Sequence, residues 1–119
     1  MKYAIIDDDE LTRMLVRSQL ESLEIEVMEF TDARELEVFL ENSSDPEAFT
    51  FLFDINLPNE DGDLFVQRRK ELILKNPENQ VIFLCADQRS LRLEIENEPN
   101  LMSVDKRELV FEIKRRSAR

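Results

Sequence analysis

Four charged side chains stand where short apolar runs end. Asp7 and Asp8 close "KYAII", Asp54 closes "FTFLF", and Lys106 follows "LMSVD". Carboxylates brought together repel one another, so either some hold protons or a cation sits among them. The chain has no histidine and a single cysteine, Cys85, which excludes the usual zinc sites and a histidine-based catalytic triad. An oxygen-only donor set suits a hard cation, Mg²⁺ or Mn²⁺. Mg²⁺ takes one or two carboxylates and keeps positions for water or a phosphate oxygen. A nearby Lys106 would pair with a phosphoryl group. Each residue has a plainer meaning alone. "DDDE" suits a solvated turn or helix start, Asp54 a strand-ending turn, and Lys106 a surface charge. Their joint placement at three strand ends sets them apart.

The elements that must position them follow from the apolar pattern. Lys2–Ile6 reads as a strand. Leu11, Met14, Leu15, Leu20 and Leu23 fall near helical spacing. Ile25–Phe30 reads as a second strand, and Asp32 followed by Glu35 as a capping box opening a helix with Leu36, Phe39 and Leu40 on one face. Phe49–Phe53 is continuously apolar, as a strand buried on both faces should be. A helix carrying Phe65, Val66, Leu72 and Ile73 follows Gly62, and Val81–Cys85 is another buried strand. Ser90 caps a weaker helix ending near Pro99, Leu101–Val104 is a short fifth strand, and Leu109, Val110 and Ile113 mark a last helix. Strand and helix alternating in this way predict an α/β fold with a parallel sheet covered on both faces. Such sheets bind ligands at the carboxyl ends of their strands. With strand order 2-1-3-4-5, the first and third strands are neighbours, and Asp7, Asp8 and Asp54 converge.

The 119 residues suffice for one domain with a real core, and residues 1–119 read as a single domain, stand-alone or excised from a longer protein. Hydrophobic residues make up 42% and charged residues 36%, a globular composition. No apolar run approaches the roughly 20 residues of a membrane span, and "MKYAIIDDD" lacks the apolar core of a signal peptide. A cytoplasmic protein is expected, and one cysteine fits a reducing compartment. The formal net charge of −11 argues against nucleic-acid binding. The basic "KRRSAR" end suits the carboxyl end of a helix. Gly62 is the only glycine, so no glycine-rich phosphate loop is present.

The residues resemble the receiver domain of two-component response regulators over essentially the whole chain. The resemblance rests on Asp7-Asp8 after "AII" with "DELTR" following, on Asp54 with Pro58 and Gly62, and on Lys106 after a final strand. It implies a flavodoxin-like (βα)5 three-layer sandwich with a five-stranded parallel sheet ordered 2-1-3-4-5. It implies that Asp54 is the phosphoacceptor, taking a phosphoryl group from a histidine on a sensor histidine kinase or histidine phosphotransfer protein. Asp8, with Asp7 partly through water, Asp54, and the backbone carbonyl of Asn56 would hold Mg²⁺ (or Mn²⁺). Lys106 would contact the phosphoryl oxygens. The chain would be a switch that assists its own phosphorylation and dephosphorylation rather than an enzyme. Its partners would be the phosphodonor and a downstream protein, with no nucleic acid or membrane. A homodimer through the fourth helix, fifth strand and last helix is a further expectation, with Glu94, Glu96, Arg107 and Lys114 on that face.

The sequence departs from the family where the signal is transmitted. The switch position usually held by Ser or Thr is Cys85, whose thiol is a weak donor. Cysteine is also often a small buried hydrophobe, and a redox-active thiolate beside Lys106 is a third reading. The usual aromatic three residues before the lysine is Ser103, and the proline usual after it is Arg107. Without that proline a cis bond would cost roughly 2.5–4 kcal/mol, so a trans bond or a rearranged loop is expected. Asn56 and Asp87 would tune the lifetime of the phosphoryl group. Three alternatives follow. A pseudo-receiver would act as a phosphorylation-independent interaction module. A haloacid-dehalogenase-like phosphatase would want a second aspartate where Asn56 stands. A flavin carrier would want a phosphate loop after the first strand.

Overall fold

A computed structural model of the protein describes residues 2–44, 47–85, 91 and 98–117. Strands β1 (Lys2–Ile6), β2 (Glu26–Phe30), β3 (Phe49–Asp54), β4 (Gln80–Cys85) and β5 (Leu101–Asp105) form one sheet in the order β2-β1-β3-β4-β5. Every neighbouring pair is parallel. Helices α1 (Glu10–Ser22), α2 (Ala33–Asn42), α3 (Gly62–Arg68), α4 (Lys70–Ile73) and α5 (Leu109–Ser117) cover it, with a 3₁₀ turn at Lys106–Glu108 before α5. The helix expected from Ser90 to near Pro99 falls largely outside the described residues.

Alternation along the buried strands sends side chains to two cores. Ala4, Ile6, Phe51, Phe53 and Phe83 pack with Leu36 of α2, Phe65 and Val66 of α3, and Ile73 of α4. Tyr3, Ile5, Leu52, Ile82 and Leu84 pack with Val16 and Leu20 of α1 and with Leu109 and Ile113 of α5. This is the expected three-layer α/β sandwich. All six residues of β3 are buried, because β1 and β4 flank it and helices lie above and below. Aromatic rings run through the first core: Phe49 stacks on Phe51 at 5.4 Å between centroids, and Phe53 meets Phe65 at 5.9 Å and Phe83 at 6.2 Å. Such pairs add to what burial alone contributes.

Two local expectations are corrected. Leu11, Met14 and Leu15 do not face the core; they are 57%, 47% and 58% exposed, and the buried residues of α1 are Val16 and Leu20. Polar contacts help to set that rotation. Arg13 and Arg17 both reach Glu29 on β2, at 3.5 and 2.6 Å, which turns their side of α1 toward the sheet edge. The helix after Gly62 is also not continuous. It breaks at Arg69 (φ −120°, ψ 34°). There Arg68 and Arg69 reach the buried Glu37 of α2 at 3.3 and 2.5 Å, and Arg34 joins them at 3.2 Å. Three guanidinium groups satisfy one carboxylate that burial alone would disfavour.

The capping box is present in a shifted form. The Glu35 amide donates to Asp32 Oδ1 at 2.9 Å, while the Glu35 carboxylate accepts from the Thr31 amide at 2.7 Å, one residue earlier than the usual return bond.

The single glycine serves room rather than backbone freedom. A Cβ on Gly62 would fall inside contact distance of the Asp54 carbonyl oxygen. Gly62→Ala must push the loop off the end of β3. It should lower stability by about 1–3 kcal/mol, the usual cost of overpacking. Thermal melting checks this, and an unchanged midpoint would contradict it.

Candidate functional site

The site forms where β1, β3 and β5 end. Asp7 continues β1: its amide donates to the Phe30 carbonyl at 3.0 Å, and the residue is 1% exposed. Its Oδ1 accepts the Asp9 amide at 2.9 Å, and its backbone carbonyl accepts Arg13 Nη1 at 2.7 Å. Its Oδ2 is buried and, among the described residues, is the one buried side-chain oxygen or nitrogen with no hydrogen-bond partner. Asp8 beside it is exposed, and the Thr12 hydroxyl at the start of α1 donates to the Asp9 carboxylate.

Asp54 ends β3 and is 7% exposed. Its Oδ1 accepts the Asn56 amide at 3.3 Å and lies 3.4 Å from Lys106 Nζ. The loop after it folds back on itself. Ile55 carbonyl accepts the Leu57 amide at 3.1 Å and the Gly62 amide at 2.8 Å. Asn59 takes a left-handed conformation (φ 71°), which Asn tolerates better than most residues. Ile55 and Leu57 are buried, which anchors the loop to the core and leaves Asn56 exposed beside Asp54.

Carboxylate oxygens of Asp7, Asp8 and Asp54 all lie within 4.8 Å of one another. The structure thus brings together Asp7, Asp8, Asp54, Asn56 and Lys106. Burial pushes the Asp7 carboxyl above its ordinary range, and the Asp54 charge adds to that, against the Asp9 amide and Lys106. An all-oxygen donor set with one buried unpartnered oxygen fits a hard divalent cation.

Cys85 ends β4 one residue beyond Leu84, the register partner of Asp54. It is 3% exposed, belongs to the first core, and its thiol donates to the Phe83 carbonyl at 3.8 Å. Ser103 sits opposite Phe83 in β5 and is half-buried. Asp87 lies outside the described residues. The Lys106–Arg107 bond is trans. Arg107 turns back on Asp105, whose carboxylate takes its amide at 2.9 Å, Nε at 3.0 Å and Nη2 at 2.7 Å. The Arg107 side chain bonded to it holds the Asp105 carboxyl down to about 2. The 3₁₀ turn carrying Lys106 is thus capped by a local ion pair in place of a rigid proline.

Sequence reasoning did not assign roles to Arg13, Glu29 and Asp105. The signals were present as Arg13 one helical turn after Asp9, and as Asp105 two residues before Arg107.

A family model described as "Response regulator receiver domain" matches residues 4–97. The chain therefore belongs to the response regulator receiver domain family. A CheY-like receiver domain from Methanospirillum hungatei JF-1 is similar in structure, with TM-score 0.71, 22% identity, and 98% and 93% of the two chains covered. The receiver domain of a sensor histidine kinase from Pseudomonas aeruginosa PAO1 has TM-score 0.70 and 19% identity over 98% and 93% of the chains; it holds a magnesium ion in its active-site cleft. The response regulator DrrB of Thermotoga maritima has TM-score 0.68 and 26% identity, with 96% of this chain covering 51% of that one. Among curated proteins none is similar enough to match. No described helix is long and apolar enough to cross a membrane.

The raised Asp7 carboxyl sets a pH test without metal. A carboxyl raised on folding contributes stability that is full below its unfolded value and is lost as pH rises through its folded value. In EDTA at pH 7, Asp7→Asn should therefore melt higher than the parent. The gain should shrink as pH falls toward the ordinary carboxylate range. Mg²⁺ should raise the melting temperature of the parent and leave that of Asp7→Asn nearly unchanged. Melting curves from pH 4 to 7 with and without Mg²⁺ check this.

Proposed function

We propose that the chain is a phosphoacceptor switch of a two-component phosphorelay. Asp54 takes a phosphoryl group from a phosphohistidine on a sensor histidine kinase or histidine phosphotransfer protein. The observation that carries this reading is the meeting of Asp54 Oδ1 with Lys106 Nζ at 3.4 Å beside the Asp7–Asp8–Asp54 cluster. An Asp54 carboxylate oxygen forms the bond to phosphorus while the phosphorus–nitrogen bond breaks. The imidazole leaves with that electron pair and regains its proton. Lys106, half-exposed and 3.4 Å from Asp54 Oδ1, pairs with the phosphoryl oxygens as negative charge develops on them. Asp7, Asp8, Asp54 and the Asn56 carbonyl would hold Mg²⁺ (or Mn²⁺), which supplies charge neutralisation for the incoming phosphoryl group.

The chain turns over no separate substrate in this reading; it is an acceptor that assists its own modification. Phosphorylation then adds charge and strong acceptors that shift partner binding. A cytoplasmic setting and a downstream protein partner belong to the same proposal. A homodimer through the fourth helix, fifth strand and last helix belongs to the same proposal; β5, α5, Arg107 and Lys114 of that face are among the described residues, while Glu94 and Glu96 lie outside them.

One observation favours a second reading, the phosphorylation-independent interaction module. Cys85 is packed into the first core where a hydroxyl would be expected. Incubation with Mg²⁺ and acetyl phosphate, read by intact mass, separates the two. The acceptor reading predicts one phosphate adduct that Asp54→Asn lacks. No adduct, together with no Mg²⁺ binding, would leave the interaction module.

A further inference from the structure

Asp7 is held at every polar atom but one. Its amide is fixed by the Phe30 carbonyl at 3.0 Å, its Oδ1 by the Asp9 amide at 2.9 Å, and its carbonyl by Arg13 Nη1 at 2.7 Å. Only Oδ2 lacks a partner. The third of these bonds differs in kind. It is charge-assisted, and it comes from a side chain on α1 rather than from neighbouring backbone. Arg13 is itself held: its side chain is only 14% exposed, and its Nε lies 3.5 Å from Glu29 on β2. Arg17, one turn further along α1, pairs with the other oxygen of Glu29 at 2.6 Å.

We propose that Arg13 is a positioning residue for the cation site, holding the Asp7–Asp8 peptide plane so that both carboxylates face the cation. This rests on the acceptor reading above. The Asp7 carbonyl and the Asp8 amide belong to one planar unit. A bond that fixes the carbonyl therefore also fixes the direction in which the chain enters Asp8. Asp8 is exposed, and its carboxylate stands beside those of Asp7 and Asp54. Its aim depends on backbone orientation more than that of the buried Asp7 does. Glu29 acts through Arg13: it holds the guanidinium toward the strand ends and offsets its charge.

Positioning and simple electrostatics make opposite predictions. Removing a cation close to the site should tighten Mg²⁺ binding if charge alone mattered. Removing a brace should weaken it. Arg17 provides the control, since it pairs with the same Glu29 but does not touch Asp7.

The experiment is Mg²⁺ titration of the folded protein by calorimetry, with the amide resonances of Asp8 and Asp9 followed by NMR. Arg13→Met should weaken Mg²⁺ binding by about tenfold, the low end for loss of an outer partner of a metal ligand. It should also shift both resonances before any metal is added. Arg17→Met should bind within twofold of the parent, or more tightly. Glu29→Gln, which leaves Arg13 in place but unpaired, should weaken binding by a smaller factor. If Arg13→Met does not fold, Arg13→Lys carries the test: it keeps the charge, so charge alone predicts no change, while one ammonium cannot serve both partners as the guanidinium fork does and binding should weaken. Arg13 variants that bind Mg²⁺ as tightly as the parent, or an equal loss in Arg17→Met, overturn the positioning role and leave the acceptor reading standing. A parent chain that binds no Mg²⁺ overturns both.

Discussion

Mutual repulsion among three carboxylates is the constraint on which the rest of this structure depends. Asp7, Asp8 and Asp54 have oxygens within 4.8 Å of one another, and two of the three residues are buried. Left to itself, such a chain would move them apart. They stay together because each is fixed to an element that cannot move independently. Asp7 and Asp8 follow directly on β1, Asp54 ends β3, and every residue of β1 is paired with one of Phe49–Phe53 in β3. Lys106 offsets part of the charge from the end of β5. The remaining tension favours any cationic ligand that enters and any step that spreads negative charge outward.

The buried framework explains why the site can be held this firmly. β3 is flanked on both edges and covered on both faces, so its residues have no freedom to follow Asp54 away from its neighbours. The rings of Phe51 and Phe53 pack against the strand above one core, and Leu52 against the other. Gly62 lets the following loop close over the Asp54 carbonyl, and the Ile55 carbonyl gathers two amides of that loop. The most apolar stretch of the chain therefore delivers one carboxylate to a defined place. On the outer side, the ion pairs of Glu29 and Glu37 tie α1 to β2 and α2 to α3.

Much of this was legible in the sequence because period and punctuation agree. Continuous apolar runs marked β1, β3 and β4, and each ended in a residue of the candidate site or its switch position. The strand order 2-1-3-4-5 came with the family resemblance, and the convergence of Asp7, Asp8 and Asp54 followed from it. What could not be read were features set by contacts distant in sequence. Leu11, Met14 and Leu15 share a spacing with Leu20, yet the helix turns them outward, and Arg13 and Arg17 face Glu29. The break at Arg69 meets a glutamate more than thirty residues earlier. Arg107 could be recognised as a missing proline, but not as one half of a pair with Asp105 that shapes the turn bearing Lys106. The placement of Cys85 in the first core supports its reading as a small buried hydrophobe.

The central claim is that Asp7, Asp8, Asp54 and Lys106 form one acceptor assembled before any phosphodonor arrives. Fluorine NMR of the protein with beryllofluoride, which mimics a phosphoryl group on a carboxylate, tests it most directly. The account predicts bound fluorine resonances that require Mg²⁺, disappear in Asp54→Asn, and weaken in Lys106→Met. Absence of bound signal at saturating Mg²⁺, or a signal that survives Asp54→Asn, would contradict it.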